Sequence, residues 1–223
     1  MPLLKIKALN ETTHLYVWKI TESFDELFRS VALKDVSLAR LEGMKAESHQ
    51  KGFLSVRRLL MEAGYTDFDL YYDEFGKPNL KDGKHISISH SNEFSVIVLS
   101  EVNIGADLEI LKDKTVKLAP RFMDISHLVN LSEDDLLRKA TVVWGIKESV
   151  FKIKNEIGIS FKDHIFENDF NLVDKKCTVE LRFNNQVEHF DILFDFIENY
   201  AFVCAFNSVP FSRSSGIASG EKK

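Results

Sequence analysis

The sequence predicts an α+β fold of two similar half-domains, each built as strand, helices and antiparallel strands, with a cleft between them. The first observation is that apolar residues recur with helical spacing in segments 23–63 and 132–153 and with strand-like spacing elsewhere. The second is that this element order occurs twice within 223 residues, enough for two cores. We therefore expect pseudo-twofold halves at 1–102 and 103–207, although the duplication stays open because no sequence repeat accompanies it.

In the first half, a short strand is expected at 15–20, followed by two or three helices within 23–63. Gly43 and Gly52 indicate breaks or close packing inside this helical segment, and Gly64 provides a C-terminal stop. The apolar or alternating runs that follow predict strands at 68–73, 85–89 and 94–99.

In the second half, the apolar run 103–111 predicts a strand, and helical spacing returns at 117–122 and 132–153. Closing strands are expected at 177–183, 189–194 and 200–206. The remaining segment, 208–223, is small, polar and aperiodic, which predicts a disordered tail.

Composition excludes several classes of function. The 29 basic and 34 acidic residues give a net charge of −5, which argues against nucleic acid as a partner, although a local cluster of cations could still bind a small phosphorylated ligand. The longest apolar run, 200–206, is far shorter than the about 20 residues that span a bilayer, so we expect a cytoplasmic protein with no membrane partner. The two cysteines, Cys177 and Cys204, lie in apolar strands and are interpreted as structural rather than redox-active.

The strand Asn103–Leu111 carries two carboxylates, Asp107 and Glu109, on one face because residues two apart in a strand point the same way. Their α-carbons are about 6.6 Å apart, close enough for both side chains to share one hard cation such as Mg²⁺ or Mn²⁺. The alternative is a half-exposed strand whose polar side chains face water.

The helical segment 132–153 has a broad apolar face and a narrow polar track that contains Thr141, Gly145, Glu148 and Lys152. The carboxylate and the ammonium of the last two are neighbours at a spacing of four residues. An ordinary solvated Glu-to-Lys pair is the alternative interpretation.

Candidate phosphate contacts come from three further segments. His90 shares its strand face with Ile86 and Ile88 and is expected to point into the interior or a cleft. Lys77 follows Gly76 in a segment that can also be read as a plain turn. The adjacent pair at 57–58 are both arginines, whose forked guanidinium groups suit phosphate but are also common on exposed surfaces.

Taken together and in this order, four segments resemble the surfactin-type 4′-phosphopantetheinyl transferase family. The Asp-x-Glu strand and the later Trp-x-x-Lys-Glu-x-x-x-Lys helix are specific as a pair. The resemblance covers about residues 57–152. Its motifs are GKP at 76–78, SHS at 89–91, GADLE at 105–109 and WGIKESVFK at 144–152.

The resemblance implies a pseudo-twofold enzyme, expected to be monomeric, that binds coenzyme A in its cleft. By this resemblance, Asp107, Glu109 and Glu148 would hold Mg²⁺, or Mn²⁺, against the coenzyme A pyrophosphate, and Lys152 would stabilise charge on the transferring phosphoryl group. Either Glu148 or a metal-bound water would take the proton from the attacking serine hydroxyl of an apo acyl or peptidyl carrier protein. Adenosine 3′,5′-bisphosphate would be released.

Lys77, His90, Lys152 and, with a looser alignment, Arg57 are the coenzyme A phosphate contacts that the resemblance implies, and Arg58 is an open substitute for Arg57. Carrier proteins of this family are typically acidic, so exposed basic residues after the metal strand are candidates for docking them. These are Lys112, Lys114, Lys117 and Arg121. Two other functions stay open: another Mg²⁺-dependent phosphoryl or nucleotidyl transferase, and a noncatalytic coenzyme A-binding module.

Overall fold

The computed structural model describes residues 3–208 and confirms the α+β class. The predicted tail lies outside the described residues from position 209 onward. The strands are β1 (Leu3–Asn10), β2 (Thr13–Lys19), β3 (Leu70–Tyr72), β4 (Pro78–Leu80), β5 (His85–Ser91), β6 (Phe94–Ser100), β7 (Ile104–Ile110), β8 (Ile165–Glu167), β9 (Lys176–Phe183), β10 (Gln186–Ile197) and β11 (Tyr200–Asn207). The helices are α1 (Phe24–Arg29), α2 (Asp35–Glu42), α3 (Glu47–Glu62), α4 (Asp113–Leu118), α5 (Glu133–Lys154) and α6 (Phe161–His164). Short 3₁₀ turns occur at Ala119–Arg121, Ile125–Leu128 and Leu172–Asp174.

Two antiparallel sheets form the framework, with strand orders β1-β2-β6-β5 and β7-β11-β10-β9-β8, and β3 pairs with β4 in a small third sheet. In the first sheet, β6 pairs with β2, the strand before the helices, and with β5, the strand before it in the chain. In the second sheet, β11 pairs in the same way with β7 and with β10. The strand order therefore corresponds in the two halves, whereas the pseudo-twofold relation and the half boundaries stay predictions.

The molecule is layered, with α3 on the outer face of the first sheet and α5 on the outer face of the second. Between the sheets, Val96 and Val98 of β6 pack with Ala106 and Leu108 of β7 and with Phe202 of β11 in one buried cluster. Because side chains alternate along a strand, the other face of β7 is turned toward α5. That face carries Gly105, Asp107 and Glu109.

Helix α5 begins and ends with strong signals in its sequence. The Ser132 hydroxyl accepts a hydrogen bond from the Asp135 amide at 3.2 Å, and acidic residues fill the first turn, where the helix dipole favours them. Asn155 ends the helix in a left-handed conformation with φ of 50°. None of the helices in the described part of the chain is long and apolar enough to cross a membrane.

Glycines let α5 lie directly on the second sheet. A Cβ added to Gly105 would lie 1.9 Å from the Ser149 carbonyl oxygen, and one added to Gly145 would lie 2.7 Å from Val203 Cγ2. Both distances are below any normal carbon contact, so these positions exclude a side chain. Because neither glycine has a Cβ, the polar track of α5 lies against the face of β7 that carries Asp107 and Glu109.

Several short or exposed elements were not predicted. Strand β1 is an edge strand whose Leu4 and Ile6 are 49% and 52% exposed, so it lacks the buried face that makes a strand recognisable. Strands β4 and β8 have three residues each, and α6 has four, too few to show a period. The predicted helical segment 117–122 is in fact the end of α4 followed by a 3₁₀ turn.

We predict that Gly105→Ala lowers the free energy of unfolding by at least about 1–3 kcal/mol, because the added methyl must displace the α5 backbone. Chemical denaturation would measure the loss. Gly43→Ala is the matched control, because a Cβ there would meet nothing closer than the Arg40 carbonyl oxygen at 3.5 Å. Equal stability of the two variants would contradict the close contact between α5 and β7.

Candidate active site

Asp107 lies in the interface between β7 and α5 and is only 4% exposed. Its Oδ1 accepts hydrogen bonds from Ser89 Oγ at 2.9 Å and from Lys152 Nζ at 2.8 Å. Its Oδ2 is buried and has no hydrogen-bond partner among the described residues. The interpretation of β7 as a half-exposed strand with polar residues facing water is therefore wrong for Asp107, whose carboxylate is enclosed by protein.

Glu109 and Glu148 are partly buried beside Asp107, and neighbouring charges affect the pKa of each. Burial, followed by the negative charges of Asp107 and Glu148, raises the pKa of Glu109 to about 7, even though Trp144 Nε1 donates a hydrogen bond to Glu109 Oε1 at 3.4 Å. Burial and the charge of Asp107 also raise the pKa of Glu148. Neighbouring negative charge thus adds to the effect of burial at both glutamates, and a nearby cation would oppose it.

The donor set fits a hard divalent cation in its chemistry. All three side chains offer carboxylate oxygens, the ligands that Mg²⁺ and Mn²⁺ prefer, and Asp107 Oδ2 is a buried oxygen that lacks a partner. However, within residues 3–208 no three His, Cys, Asp or Glu side chains are grouped closely enough to hold a metal ion. The predicted three-carboxylate site is thus not preassembled in this conformation, and metal binding by these residues stays a prediction.

Lys152 connects this carboxylate cluster to a neighbouring cleft. Its ammonium donates hydrogen bonds to Asp107 Oδ1 at 2.8 Å and to the Ala106 carbonyl oxygen at 2.9 Å, and its side chain also lines the cleft. The interpretation of Glu148 and Lys152 as a solvated pair is wrong, since Lys152 pairs with Asp107 instead and Glu148 is partly buried. Thr141 and Gly145, on the same track, are fully buried.

The cleft has a volume of about 270 Å³ and lies between α3, β4 and β5 on one side and the start of β7 with the end of α5 on the other. The described residues that line it include four arginine or lysine side chains and no carboxylate. The cations are Arg40, Arg57, Lys77 and Lys152. A concave surface with this charge pattern focuses a positive potential suited to a phosphorylated ligand, despite the net negative charge of the chain.

Arg57 and Arg58 differ sharply in placement. Arg57 is 3% exposed, forms an ion pair with Asp67 at 3.0 Å and lines the cleft, and its Nη2 is buried without a hydrogen-bond partner in the described structure. Arg58 contacts Glu62 and the Ser30 carbonyl oxygen instead, and does not line the cleft. The geometry therefore favours Arg57 over Arg58 as the contact for a ligand in the cleft.

Lys77 and His90 also line the cleft, together with Arg40, a cation that the sequence analysis did not single out. Lys77 Nζ donates to the Ile153 carbonyl oxygen at 2.8 Å, and burial lowers the pKa of this lysine. His90 lies at the rim and is exposed rather than buried in the core. Burial of its inner side, followed by the positive charge of neighbours, lowers the pKa of His90.

The four candidate docking residues, Lys112, Lys114, Lys117 and Arg121, are all exposed.

Lys147 is a further residue of the α5 motif to which the sequence analysis gave no role. It is 1% exposed and contacts Glu167 and the Ile165 carbonyl oxygen, which ties α5 to strand β8. A lysine on the apolar side of the helix is the signal that could have indicated a buried ion pair, because an unpaired buried ammonium is unfavourable.

Curated proteins with related sequences are 4′-phosphopantetheinyl transferases. The chain is similar to gsp of Aneurinibacillus migulanus, 30% identical over 83 residues, which is 36% of this chain and 35% of that protein. It is similar to ffp of Bacillus subtilis, 27% identical over 141 residues, which is 59% of this chain and 63% of that protein. It is also similar to Sfp of Bacillus subtilis (strain 168), 29% identical over 92 residues, which is 39% of this chain and 41% of that protein.

The match thus spans between about a third and under two thirds of the length of these relatives. No family model matches the chain. The resemblance to 4′-phosphopantetheinyl transferases that the motifs predict is confirmed by these similarities.

We predict that, in metal-free buffer, Glu109→Gln raises the unfolding temperature at pH 8 and leaves it nearly unchanged at pH 4. The folded pKa of about 7 lies above the ordinary value of 4.5, so the folded chain holds this proton more tightly than the unfolded chain does. Ionisation of Glu109 therefore destabilises the fold increasingly between pH 4.5 and 7. Thermal unfolding of both proteins at each pH is the measurement, and a lower unfolding temperature for the variant at pH 8 would contradict the repulsion.

Proposed function

We propose that the protein transfers 4′-phosphopantetheine from coenzyme A to a serine of an apo acyl or peptidyl carrier protein, with Mg²⁺ bound, and releases adenosine 3′,5′-bisphosphate. The observation that carries the proposal is the position of Lys152, which contacts the buried Asp107 carboxylate and also lines the cation-rich cleft. This side chain joins a phosphate-binding surface to a candidate metal-binding surface. The similarity to named 4′-phosphopantetheinyl transferases supports the same activity.

In this proposal the cleft binds coenzyme A through its phosphate groups. Arg57, Lys77, His90 and Lys152 are the expected contacts, and Arg57 offers a buried Nη2 with no partner among the described residues. A guanidinium group is pre-organised for phosphate because it carries several donors in one plane. The Asp67 carboxylate holds Arg57 from the side, since it accepts a hydrogen bond from Nε at 3.0 Å.

The proposed metal ligands are Asp107, Glu109 and Glu148. A bound Mg²⁺, or Mn²⁺, would offset the negative charge of the pyrophosphate oxygens and of the carboxylates themselves. Without a cation, the charge of these side chains would repel the pyrophosphate. Burial, followed by the negative charges of Asp107 and Glu148, raises the pKa of Glu109 to about 7, so the charged form is disfavoured without a cation nearby.

Two side chains of α5 act on the reacting groups in this proposal. Lys152 stabilises charge that develops on the transferring phosphoryl group, because its ammonium lies at the boundary between cleft and carboxylates. Glu148 is the base that the chain itself offers to the attacking serine hydroxyl, and a water on the cation would be the alternative base.

The carrier protein is proposed to dock on the exposed basic residues of the segment that contains α4. Lys112, Lys114, Lys117 and Arg121 are exposed and follow β7 directly in the chain. An acidic partner would be attracted to them at a site that continues from the metal strand. The proposal also keeps a cytoplasmic, monomeric enzyme built from pseudo-twofold halves that uses neither nucleic acid nor membranes.

The direct test is incubation of the protein with coenzyme A, Mg²⁺ and purified apo carrier proteins, followed by mass spectrometry. We expect the carrier mass to rise by one phosphopantetheine group at its acceptor serine, and adenosine 3′,5′-bisphosphate to form in equal amount. Carrier proteins from fatty acid, polyketide and nonribosomal peptide synthesis should be assayed side by side. Failure to modify any of them would contradict the proposed function.

We predict that Lys152→Ala lowers kcat by about 10²-fold or more, with a smaller effect on the coenzyme A KM, because its charge acts mainly in the transition state. Lys154→Ala is the matched control on the same helix, since Lys154 pairs with Glu156 and Glu188 and does not line the cleft. Steady-state kinetics would show the difference. Equal kcat values for the two variants would remove Lys152 from the reaction.

We predict that Glu148→Gln abolishes measurable transfer while the fold is preserved, because glutamine keeps the shape of the side chain but removes its charge and basicity. Glu133→Gln, in the exposed first turn of α5, is the control. Transfer assays and circular dichroism would be compared for both. Turnover at the wild-type rate in Glu148→Gln would exclude its role as ligand and as base.

A further inference from the structure

Two serine side chains join the edge strands of the two sheets at the point where β5 meets β7. Ser87 Oγ accepts a hydrogen bond from the Ala106 amide at 2.8 Å and lies 3.4 Å from the Ala106 carbonyl oxygen. Ser89 Oγ accepts one from the Leu108 amide at 3.2 Å. Because β5 and β7 belong to different sheets, these hydroxyls take the place of a backbone ladder between them.

Ser89 differs from Ser87 in one respect, which concerns the carboxylate of Asp107. Its hydroxyl donates to Asp107 Oδ1 at 2.9 Å, whereas the Ser87 hydroxyl contacts backbone atoms only. Both serines are buried, so both bonds are protected from water. The two residues therefore form a natural pair for comparison, with similar backbone contacts and only one carboxylate contact.

The two carboxylate oxygens of Asp107 differ in their hydrogen-bond partners. Oδ1 accepts from both Ser89 and Lys152, while Oδ2 is buried without a hydrogen-bond partner in the described chain. A buried acceptor that lacks a partner is unfavourable by about 1–3 kcal/mol, so its retention needs a reason. Oδ2 borders the space at Gly145, since a Cβ there would lie 3.9 Å away.

We infer that Ser89 is a positioning residue that orients the Asp107 carboxylate so that Oδ2 stays available to a divalent cation. The inference rests on the proposed function for the presence of that cation. Ser89 occupies Oδ1 and fixes the plane of the carboxylate, and its position on β5 links this orientation to the half that supplies Lys77 and His90. Partners that orient a metal ligand typically change metal affinity by about 10–100-fold when they are removed.

The experiment measures Mn²⁺ binding to the metal-free protein by electron paramagnetic resonance of the free ion, in the absence of coenzyme A and carrier. We expect Ser89→Ala to weaken Mn²⁺ binding by about 10-fold or more. Ser87→Ala is expected to stay within about twofold of the wild type, because it removes bonds to the same strand without touching the carboxylate. Thermal unfolding of both variants measures how much stability each loses with its backbone contacts, so that this loss can be separated from the change in Mn²⁺ affinity.

A second substitution keeps the test decisive if Ser89→Ala does not fold. Ser89→Cys is close in shape and offers only a weak donor, so weaker Mn²⁺ binding is again expected. Ser89→Thr retains the hydroxyl and is expected to bind Mn²⁺ nearly as the wild type does.

Two outcomes would overturn the inference, and they are distinguishable from each other. If the wild type binds Mn²⁺ and the Ser89 and Ser87 variants bind it with equal affinity, the positioning role of Ser89 is wrong while the proposed function stands. If the wild type itself binds no Mn²⁺, the proposed metal site fails and the role of Ser89 fails with it.

Discussion

The direct contact between helix α5 and strand β7 is the constraint on which the candidate site depends. Gly105 has no room for a side chain against the Ser149 carbonyl oxygen, and Gly145 has none against Val203. The helix therefore lies on the sheet itself rather than on a layer of side chains. The close approach of α5 to β7 allows Lys152 to contact the Asp107 carboxylate, and it places Glu148 near enough for the charge of Asp107 to affect it.

The electrostatics of the site follow from this contact. Carboxylates gather on one side of Lys152, and a cleft lined by cations lies on the other. A phosphorylated ligand in the cleft would bring negative charge next to the carboxylates, an arrangement that is unfavourable until a divalent cation offsets it. Burial, followed by the negative charge of Asp107, raises the pKa values of Glu109 and Glu148, and Asp107 Oδ2 is buried without a hydrogen-bond partner in the described structure.

Periodicity predicted the helices and strands that have a buried face, because burial is what produces a period. It identified β7 and α5 and placed Asp107 with Glu109 on one face, while the exposed edge strand β1 gave no comparable signal. Periodicity could not predict whether the polar face of a helix is exposed to water or covered by another element. Thr141 was assigned to the polar track of α5, and the structure buries it fully.

Strand spacing predicted that Asp107 and Glu109 could share a cation, and the family motifs supplied the other proposed roles. Neither could predict contacts between residues far apart in the chain. The motifs singled out His90 from the segment at 89–91, whereas the hydrogen bond from Ser89 to Asp107 joins residues that pair only in the tertiary structure. The choice between Arg57 and Arg58 needed the structure for the same reason, since adjacent helical residues differ by about 100° in direction.

A structure of the protein crystallised with coenzyme A and Mn²⁺ would test the central claim most directly, because anomalous scattering locates the metal. The proposed site predicts one strong peak bonded to Asp107, Glu109 and Glu148, with oxygen distances close to the about 2.1 Å that Mg²⁺ requires. A peak bound by other residues, or coenzyme A in the cleft with no metal beside these carboxylates, would contradict it.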